Sequence, residues 1–384
     1  VLQADNDVAI DANLAWNANT TLTLKSGNTL SINGVLSISG LSGGLALLHG
    51  AEAYTLGPLG RVDLLGANAH FAVNGQNYQI LRNWSGSTPI GSSGYYALAT
   101  DVDASGFTGY LTSFSGVLDG LGHTLSKLSI DQPTVDRIGL FGTLSGTVRN
   151  LQLSQFNLRS KTYLGAIAGK LTSTGHIANV QVQGSLSGIG YNGGAVDYRG
   201  GIVGYNQGGR ISDSFADITI LGDDRLGGIA GYSDGIIERS GAYVKLSLHP
   251  TSQPYFGWVG GLVGEHGNGG SISDSYALGS VAGGTSGSLG GLVGLNRSRA
   301  AIRNSFANVA VTRLTGDNKA GGLVGHNEVG GIITSSYWNT AQYATSSGGS
   351  GLSASALSVA SNFVGWSLSS DLSASSTWYS NGSS

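Results

Sequence analysis

Cysteine and methionine are both absent from this chain of 384 residues. Without thiols there is no disulfide framework and no thiolate metal site, so a large repetitive core has to supply the stability. Without methionine, Val1 is not a translation start, and the chain reads as a processed or excised piece of something longer. Proline is scarce at five residues; 65 glycines without periodic proline exclude collagen, and 40 % hydrophobic residues is too many for a disordered linker. Charge is low, with 19 basic against 22 acidic residues. No basic run of about five to eight residues appears, which argues against nucleic acid as a partner. No apolar run reaches about 18 residues, the length a membrane-spanning helix needs. Helix formers are few, with four Glu and six Lys, and no clean helical period is present.

What is present is one short phrase written seven times. It reads Ile138-Gly-Leu-Phe-Gly142, Gly165-Ala-Ile-Ala-Gly169, Gly200-Gly-Ile-Val-Gly204, Gly227-Gly-Ile-Ala-Gly231, Gly260-Gly-Leu-Val-Gly264, Gly290-Gly-Leu-Val-Gly294 and Gly321-Gly-Leu-Val-Gly325. Successive starts are 27, 35, 27, 33, 30 and 31 residues apart, a period that marks a solenoid whose units bury their apolar faces against their neighbours. Stacking places Leu140, Ile167, Ile202, Ile229, Leu262, Leu292 and Leu323 in one interior column. Strands in register lie about 4.8 Å apart, so like touches like.

A second half follows each phrase, as in Gly209-Arg-Ile-Ser-Asp-Ser-Phe-Ala216 and Gly270-Ser-Ile-Ser-Asp-Ser-Tyr-Ala277. Polar columns recur at Asn206, Ser233, His266, Asn296 and Asn327, and at Asn150, Asn179, Asp213, Asp274 and Asn304. We read both as turn ladders in which Asn and Asp satisfy local backbone and tolerate left-handed dihedrals. Phe215, Tyr276, Phe306 and Tyr337 read as a stacked structural column. Before the repeats, Val8-Ala-Ile-Asp, Thr21-Leu-Thr-Leu and Val35-Leu-Ser-Ile-Ser alternate apolar and polar positions between turn signals. After them the chain turns Ser-rich, with anchors at Phe363, Trp366, Leu368, Trp378 and Tyr379, and reads as a cover for the exposed end coil.

These residues resemble the GLUG-repeat region of filamentous-haemagglutinin-type bacterial adhesins, which leave the cell by two-partner secretion. Tyr96-Ala-Leu-Ala-Thr-Asp-Val-Asp-Ala-Ser105, Phe114-Ser-Gly-Val-Leu-Asp-Gly-Leu-Gly-His-Thr-Leu125, Phe363-Val-Gly-Trp366 and Trp378-Tyr379 are similar to the flanks of such repeats. The resemblance implies an all-β, right-handed parallel β-helix: haemagglutinin-type coils over 1–85, transition coils over 86–135, GLUG repeats over 136–340 and a cap or linker over 341–384. It also implies a monomer at the surface of a Gram-negative cell or shed from it. Such a protein passes through an outer-membrane secretion pore and serves adhesion to cells, matrix or exopolysaccharide. GLUG repeats also occur beside a metallopeptidase in other secreted proteins, but no His-Glu-x-x-His stands here.

The chemistry-bearing motifs are weak. Gly40-Leu-Ser-Gly-Gly44 fits a nucleophile elbow and Gly188-Ile-Gly-Tyr-Asn-Gly193 a dinucleotide loop, but neither is followed by a helical pattern. Asp101/Asp103 and Asp223/Asp224 could bind calcium, yet no cage of about six to eight oxygens surrounds either pair. Glu265 and His326 share an outward position two coils apart, the best case for a β-helix lyase or glycosidase. Tyr205, Tyr232 and Leu295 fill that same position, so it reads as a freely varied surface. The expectation is therefore a binding passenger with no cofactor and not an enzyme, with a polysaccharide enzyme and an inert stalk as alternatives. Asn-x-Ser/Thr sequences at Asn19, Asn83, Asn296 and Asn381 are candidate glycosylation sites.

Two repeats carry extra residues just before the phrase, over 188–199 and 248–258. Insertions in repeat proteins map to loops on one face, often the binding face. Tyr191, Tyr198, Tyr255, Phe256 and Trp258 would offer flat apolar rings to a glycan, and Asp197, Arg199, Asp223 and Arg225 hydrogen bonds. The two loops are expected to flank Asp223-Asp-Arg225.

Overall fold

Alternation at period two, cut every few residues by Gly, Asn or Asp, yields short strands that bury every second side chain. The computed structural model describes residues 1–51, 53–187, 197–249, 257–267, 269–283, 287–313, 319–369 and 378–379, and these are nearly all β. The strands stack in parallel, coil upon coil, as a β-solenoid. In the N-terminal part, Leu2–Ala4, Thr21–Ser26, Gly44–His49 and His70–Val73 form one wall. Val8–Ile10, Leu30–Ile32 and Thr55–Leu56 form a second, and Leu14–Trp16, Val35–Ile38 and Arg61–Leu64 a third. Leu24, Leu30, Ile32, Leu36, Ile38, Leu45 and Leu47 are fully buried between them. Each such side chain contributes about 1.5–3 kcal/mol when removed from water.

The strand direction then reverses. His70–Val73 pairs antiparallel with Gln76–Leu81 through a turn at Asn74 and Gly75, whose φ angles are 48° and 80°. From Leu81 onward a second apolar core begins and runs to Trp338, separate from the first. The second solenoid also has three walls. Seven strands from Arg137–Ile138 to Lys319–Gly321 form one, eight from Ser113–Phe114 to Val324–Asn327 another, and the long sheet carries the rest.

The predicted interior column is present. Ile167, Ile202, Ile229, Leu262 and Leu292 each donate a backbone N–H to the corresponding carbonyl one coil on, at 2.8–3.1 Å, and all are fully buried. In the first copy the corner is one residue shorter than the sequence alignment has it, because Ile138 pairs with Leu164 and Phe141 with Ala168. The glycines of the phrase are demanded by space. A Cβ on Gly260 would lie 2.0 Å from the Val263 carbonyl, and one on Gly261 2.1 Å from the Gly291 carbonyl of the next coil.

The polar columns are ladders. Asn150, Asn179, Asp213, Asp274 and Asn304 all have φ between 48° and 53°, the left-handed region that Asn and Asp tolerate best. Asn206 donates to Ser233 Oγ at 3.0 Å and Asn296 to Asn327 Oδ1 at 2.7 Å. Asn296 is fully buried, so the folded chain offers no glycosylation site there, and Asn381 lies outside the described residues. A serine ladder, which the sequence reading passed over, runs beside them. The N–H groups of Val180, Ser214, Ser240, Ser275 and Ser305 donate in turn to the hydroxyls of Ser214, Ser240, Ser275, Ser305 and Ser336 at 3.2–3.3 Å.

The tail lies along the flank of the solenoid as well as at its end. Ser350–Leu352 adds a rung to Tyr337–Asn339. Phe363 and Trp366 pack on Tyr337, at 5.3 and 5.7 Å, while Trp378 stacks on Trp366 at 4.2 Å and reaches Tyr276 at 6.2 Å.

Candidate functional site

Two outward columns flank the glycine corner, because the residues on either side of it must alternate inward and outward. Ahead of the corner, Arg137, Tyr163, Tyr198, Arg225, Trp258, Ser288 and Lys319 stand in register. Behind it stand Lys170, Tyr205, Tyr232, Glu265, Leu295 and His326. Where both columns are aromatic, over the middle coils, they merge into a ribbon.

Tyr163 and Tyr198 stack at 5.1 Å with an interplanar angle of 14°. Arg225 continues the stack, its guanidinium 4.9 Å from the Tyr198 ring and 4.1 Å from the Trp258 ring. Tyr205 and Tyr232 meet edge to face at 5.0 Å and lean on Tyr198, each at 5.5 Å. Glu265 anchors the ribbon. It is 4 % exposed, ion-paired with Arg225, and bonded by Arg297 at 2.8 Å, which in turn holds Glu328 at 2.8 Å. Asp224 binds Arg225 from the other side at 2.5 Å. Burial pushes the Asp224 carboxyl up to about 7, against the pull of Arg225. Burial likewise pushes the Tyr198 phenol up to about 12 and raises Tyr205 and Tyr232. The rings are therefore uncharged at neutral pH, half-buried and held edge-on by their neighbours.

Of the residues expected to bind, Tyr198, Arg225 and Trp258 are brought together on successive coils. Asp197, Arg199 and Asp223 are not presented with them. Arg199 points inward, in the interior column between Leu164 and Leu226, and is 1 % exposed. Its partner is Asp197, 2.5 Å from Nε and itself 5 % exposed. Burial, with Asp223 adding to it and Arg199 opposing, pushes the Asp197 carboxyl up to about 6. Asp223 is 8 % exposed and meets His249 at 2.8 Å. For Asp197 and Arg199 the reason is alternation: with Tyr198 outward, its neighbours on both sides must face in, whereas Asp223 is drawn away by His249. Tyr191, Tyr255 and Phe256, and the Gly188-to-Gly193 motif, lie outside the described residues.

Glu265 also departs from expectation. It occupies the outward column two coils from His326, as read from the sequence, but two arginines hold it and it is not a freely varied surface position. His326 faces Lys319 at 3.1 Å instead. Tyr163, Tyr205 and Tyr232 were missed as ribbon members, although each stands at a constant offset from a glycine phrase. The candidate calcium pairs already have partners: Asp103 has Lys127 at 2.7 Å, Asp224 has Arg225, and Asp223 has the His249 ring at 2.8 Å. Gly40-Leu-Ser-Gly-Gly44 leads into the strand Gly44–His49 rather than a helix. Among the described residues no group of three His, Asp or Glu side chains is placed to hold a metal ion.

Comparison with known proteins bears on this solenoid. The family model described as the M26 IgA1-specific metallo-endopeptidase N-terminal region matches residues 79–184, and that of the GLUG motif matches residues 259–282. Halomucin of Haloquadratum walsbyi is 32 % identical over 149 residues, 37 % of this chain and 1 % of that protein. The immunoglobulin A1 protease of Streptococcus sanguinis is 30 % identical over 208 residues, 49 % of this chain and 10 % of that protein. The chain thus spans a small part of the length of these relatives. A crystal structure of a putative immunoglobulin A1 protease from Bacteroides ovatus shares the fold, with a TM-score of 0.51 and 19 % identity over 75 % of this chain and 86 % of that one. The expectation that the chain stands apart from enzymes is corrected by these likenesses, which point to a protease-related family carrying GLUG repeats.

Proposed function

We propose that this chain is the solenoid region of a secreted or cell-surface protein related to the immunoglobulin A1 proteases, and that its aromatic ribbon holds a glycan-bearing partner. The observation that carries the reading is the unbroken run Tyr163, Tyr198, Arg225 and Trp258 on four successive coils, backed by Tyr205 and Tyr232. Half-exposed rings beside a few fixed polar groups characterise interfaces. Sugar rings stack on such surfaces through their C–H faces, while Arg225 and Asp224 supply hydrogen bonds. In a protein of the protease-related kind, the ribbon would position a substrate such as immunoglobulin A1 for a catalytic unit. In an adhesin it would grip a polysaccharide of matrix or cell surface. Right-handed winding belongs to the same reading, since about 98 % of parallel crossovers take that hand. So does an exposed position reached through an outer-membrane pore, which rests on the repeat resemblance.

The test is the double substitution Tyr198→Ala and Trp258→Ala. We expect binding to immunoglobulin A1 or to the source organism's own exopolysaccharide to weaken about tenfold or more, since hot-spot aromatics cost about 2 kcal/mol or more when truncated. Unchanged binding to both, with an intact circular dichroism spectrum, rejects the ribbon as the site and leaves it a structural stack.

A further inference from the structure

The two solenoids meet along a line, and the meeting leaves a furrow on the long sheet, a different wall from those that bear the ribbon. Its floor is made of three successive coils, residues 147–154, 176–183 and 210–217; along the first two depressions its wall is the N-terminal segment 53–61. Three depressions of about 430, 410 and 300 Å³ follow one another along it. The first two share Leu56, Asn150 and Asn179, and the second and third share Gln152 and Gln181. Three rungs make the floor roughly 10 Å wide, and eight residues of strand make it roughly 20 Å long.

The lining is polar but electrically balanced. Each arginine in it already has a carboxylate: Arg149 has Asp119 at 2.6 Å, Arg210 has Glu238 at 2.9 Å, Arg239 has Asp213 at 2.7 Å and Arg61 has Asp63 at 2.8 Å. An anionic polymer would find no uncompensated positive charge among these side chains. What the floor does offer is amides. Gln152, Gln181 and Phe215 stand in one column, and Gln183 stands beside Asp217 in another. Gln181 is exposed and has no hydrogen-bond partner among the described residues. An amide both donates and accepts, as a sugar hydroxyl does, and so matches hydroxyl pairs without requiring charge. Phe215 borders the floor on the third rung with an apolar ring, and Leu56, Pro58 and Leu59 line the wall.

We propose that this furrow binds an extended, uncharged oligosaccharide lying along the strands. Amide side chains hold its hydroxyls, and the wall of segment 53–61 shields one flank. It is a second binding site, independent of the ribbon, and its first two depressions exist because the N-terminal solenoid packs against the long sheet.

The test uses the full chain and calorimetric titration with neutral hexasaccharides of glucose, mannose and N-acetylglucosamine. Hexagalacturonate and an unstructured peptide of similar length serve as the competing ligand classes. We expect at least one neutral series to bind, and the double substitution Gln152→Ala and Gln181→Ala to weaken it tenfold or more. Gln181→Glu is the second variant, at an exposed position where folding is not at stake, and should weaken binding at least threefold. The proposal is overturned if no neutral hexasaccharide binds or if the variants bind as the parent does. It is also overturned if hexagalacturonate or the peptide binds more tightly than every neutral sugar, or if binding is lost on Trp258→Ala while surviving both glutamine variants.

Discussion

In the N-terminal solenoid the corners are stitched by exposed side chains reaching one coil onward: Asp7 accepts from the Thr29 N–H, Asn13 from that of Val35 and Asn19 from that of Ser42, at 2.8–3.0 Å. In the repeat solenoid the main corner has no polar side chain, since its glycines let backbone meet backbone around one buried Ile or Leu, and the hydrogen bonds that replace the stitches run through buried serines and asparagines. Exposed stitches compete with water and can vary. Buried ladders must keep a hydrogen-bonding side chain on every rung, because an unpaired buried polar group costs about 1–3 kcal/mol. That contrast accounts for the strict phrase in one region and the loose alternation in the other.

A buried polar joint links the two regions within the line along which they meet. Asp119, fully buried, accepts from Tyr54 Oη at 2.7 Å, Arg149 Nε at 2.6 Å and Asn150 Nδ2 at 3.0 Å. Two residues on, Leu121 takes a φ of 52° and buries itself in the N-terminal core. His123 Nε2 lies 2.8 Å from the Val62 carbonyl. The stretch Leu-Asp-Gly-Leu-Gly-His is thus the joint between solenoids.

Breaking the joint should have the largest effect. Asp119→Ala leaves Arg149 buried without its carboxylate, and we expect a loss of about 3–5 kcal/mol, with hydrogen exchange rising first in residues 1–73. Equal protection in both regions after the substitution would mean that the joint does not couple them.

Next come the cores themselves. Leu36→Ala and Leu262→Ala should each cost about 2–5 kcal/mol as cavities, with exchange faster only in the solenoid that contains the cavity. If either substitution loosens both regions alike, the molecule is one cooperative unit and the comparison fails.

One pH effect belongs to the repeats. His266 is fully buried, and burial pushes its imidazole down to about 4 from 6.5, with the Ser233 and Ala301 carbonyls pulling the other way. With the folded value below the unfolded one, its contribution is complete above about pH 6.5 and is lost as pH falls towards 4. By linkage this amounts to about 3 kcal/mol. The buried Asp197 and Asp224, whose values are raised, act in the opposite sense, so the measurement is the difference between parent and His266→Asn in urea melts at pH 7 and pH 4. A difference that does not change with pH would show that His266 is not the titrating group. The smallest effect is a rung of the serine ladder: Ser275→Ala should cost about 0.5–1.5 kcal/mol by the same melts.

Much of the repeat solenoid was legible because it is periodic. A phrase that recurs every 27 to 35 residues specifies its own neighbours, so the interior column, the left-handed Asn and Asp ladder and the outward column through Tyr198, Arg225 and Trp258 follow from offset and alternation. What alternation also dictates, that Arg199 beside Tyr198 must face inward, was legible and was passed over in favour of the residue's charge.

The tertiary structure alone decided what does not repeat. The reversal between Val73 and Gln76, the burial of Asp119 under Tyr54, the two arginines on Glu265 and the furrow along segment 53–61 each join residues once, across separations that no period announces. A periodic sequence determines how a coil meets the next coil, since identical units face identical units. How one solenoid leans on another depends on unique contacts, and only the folded chain brings those together.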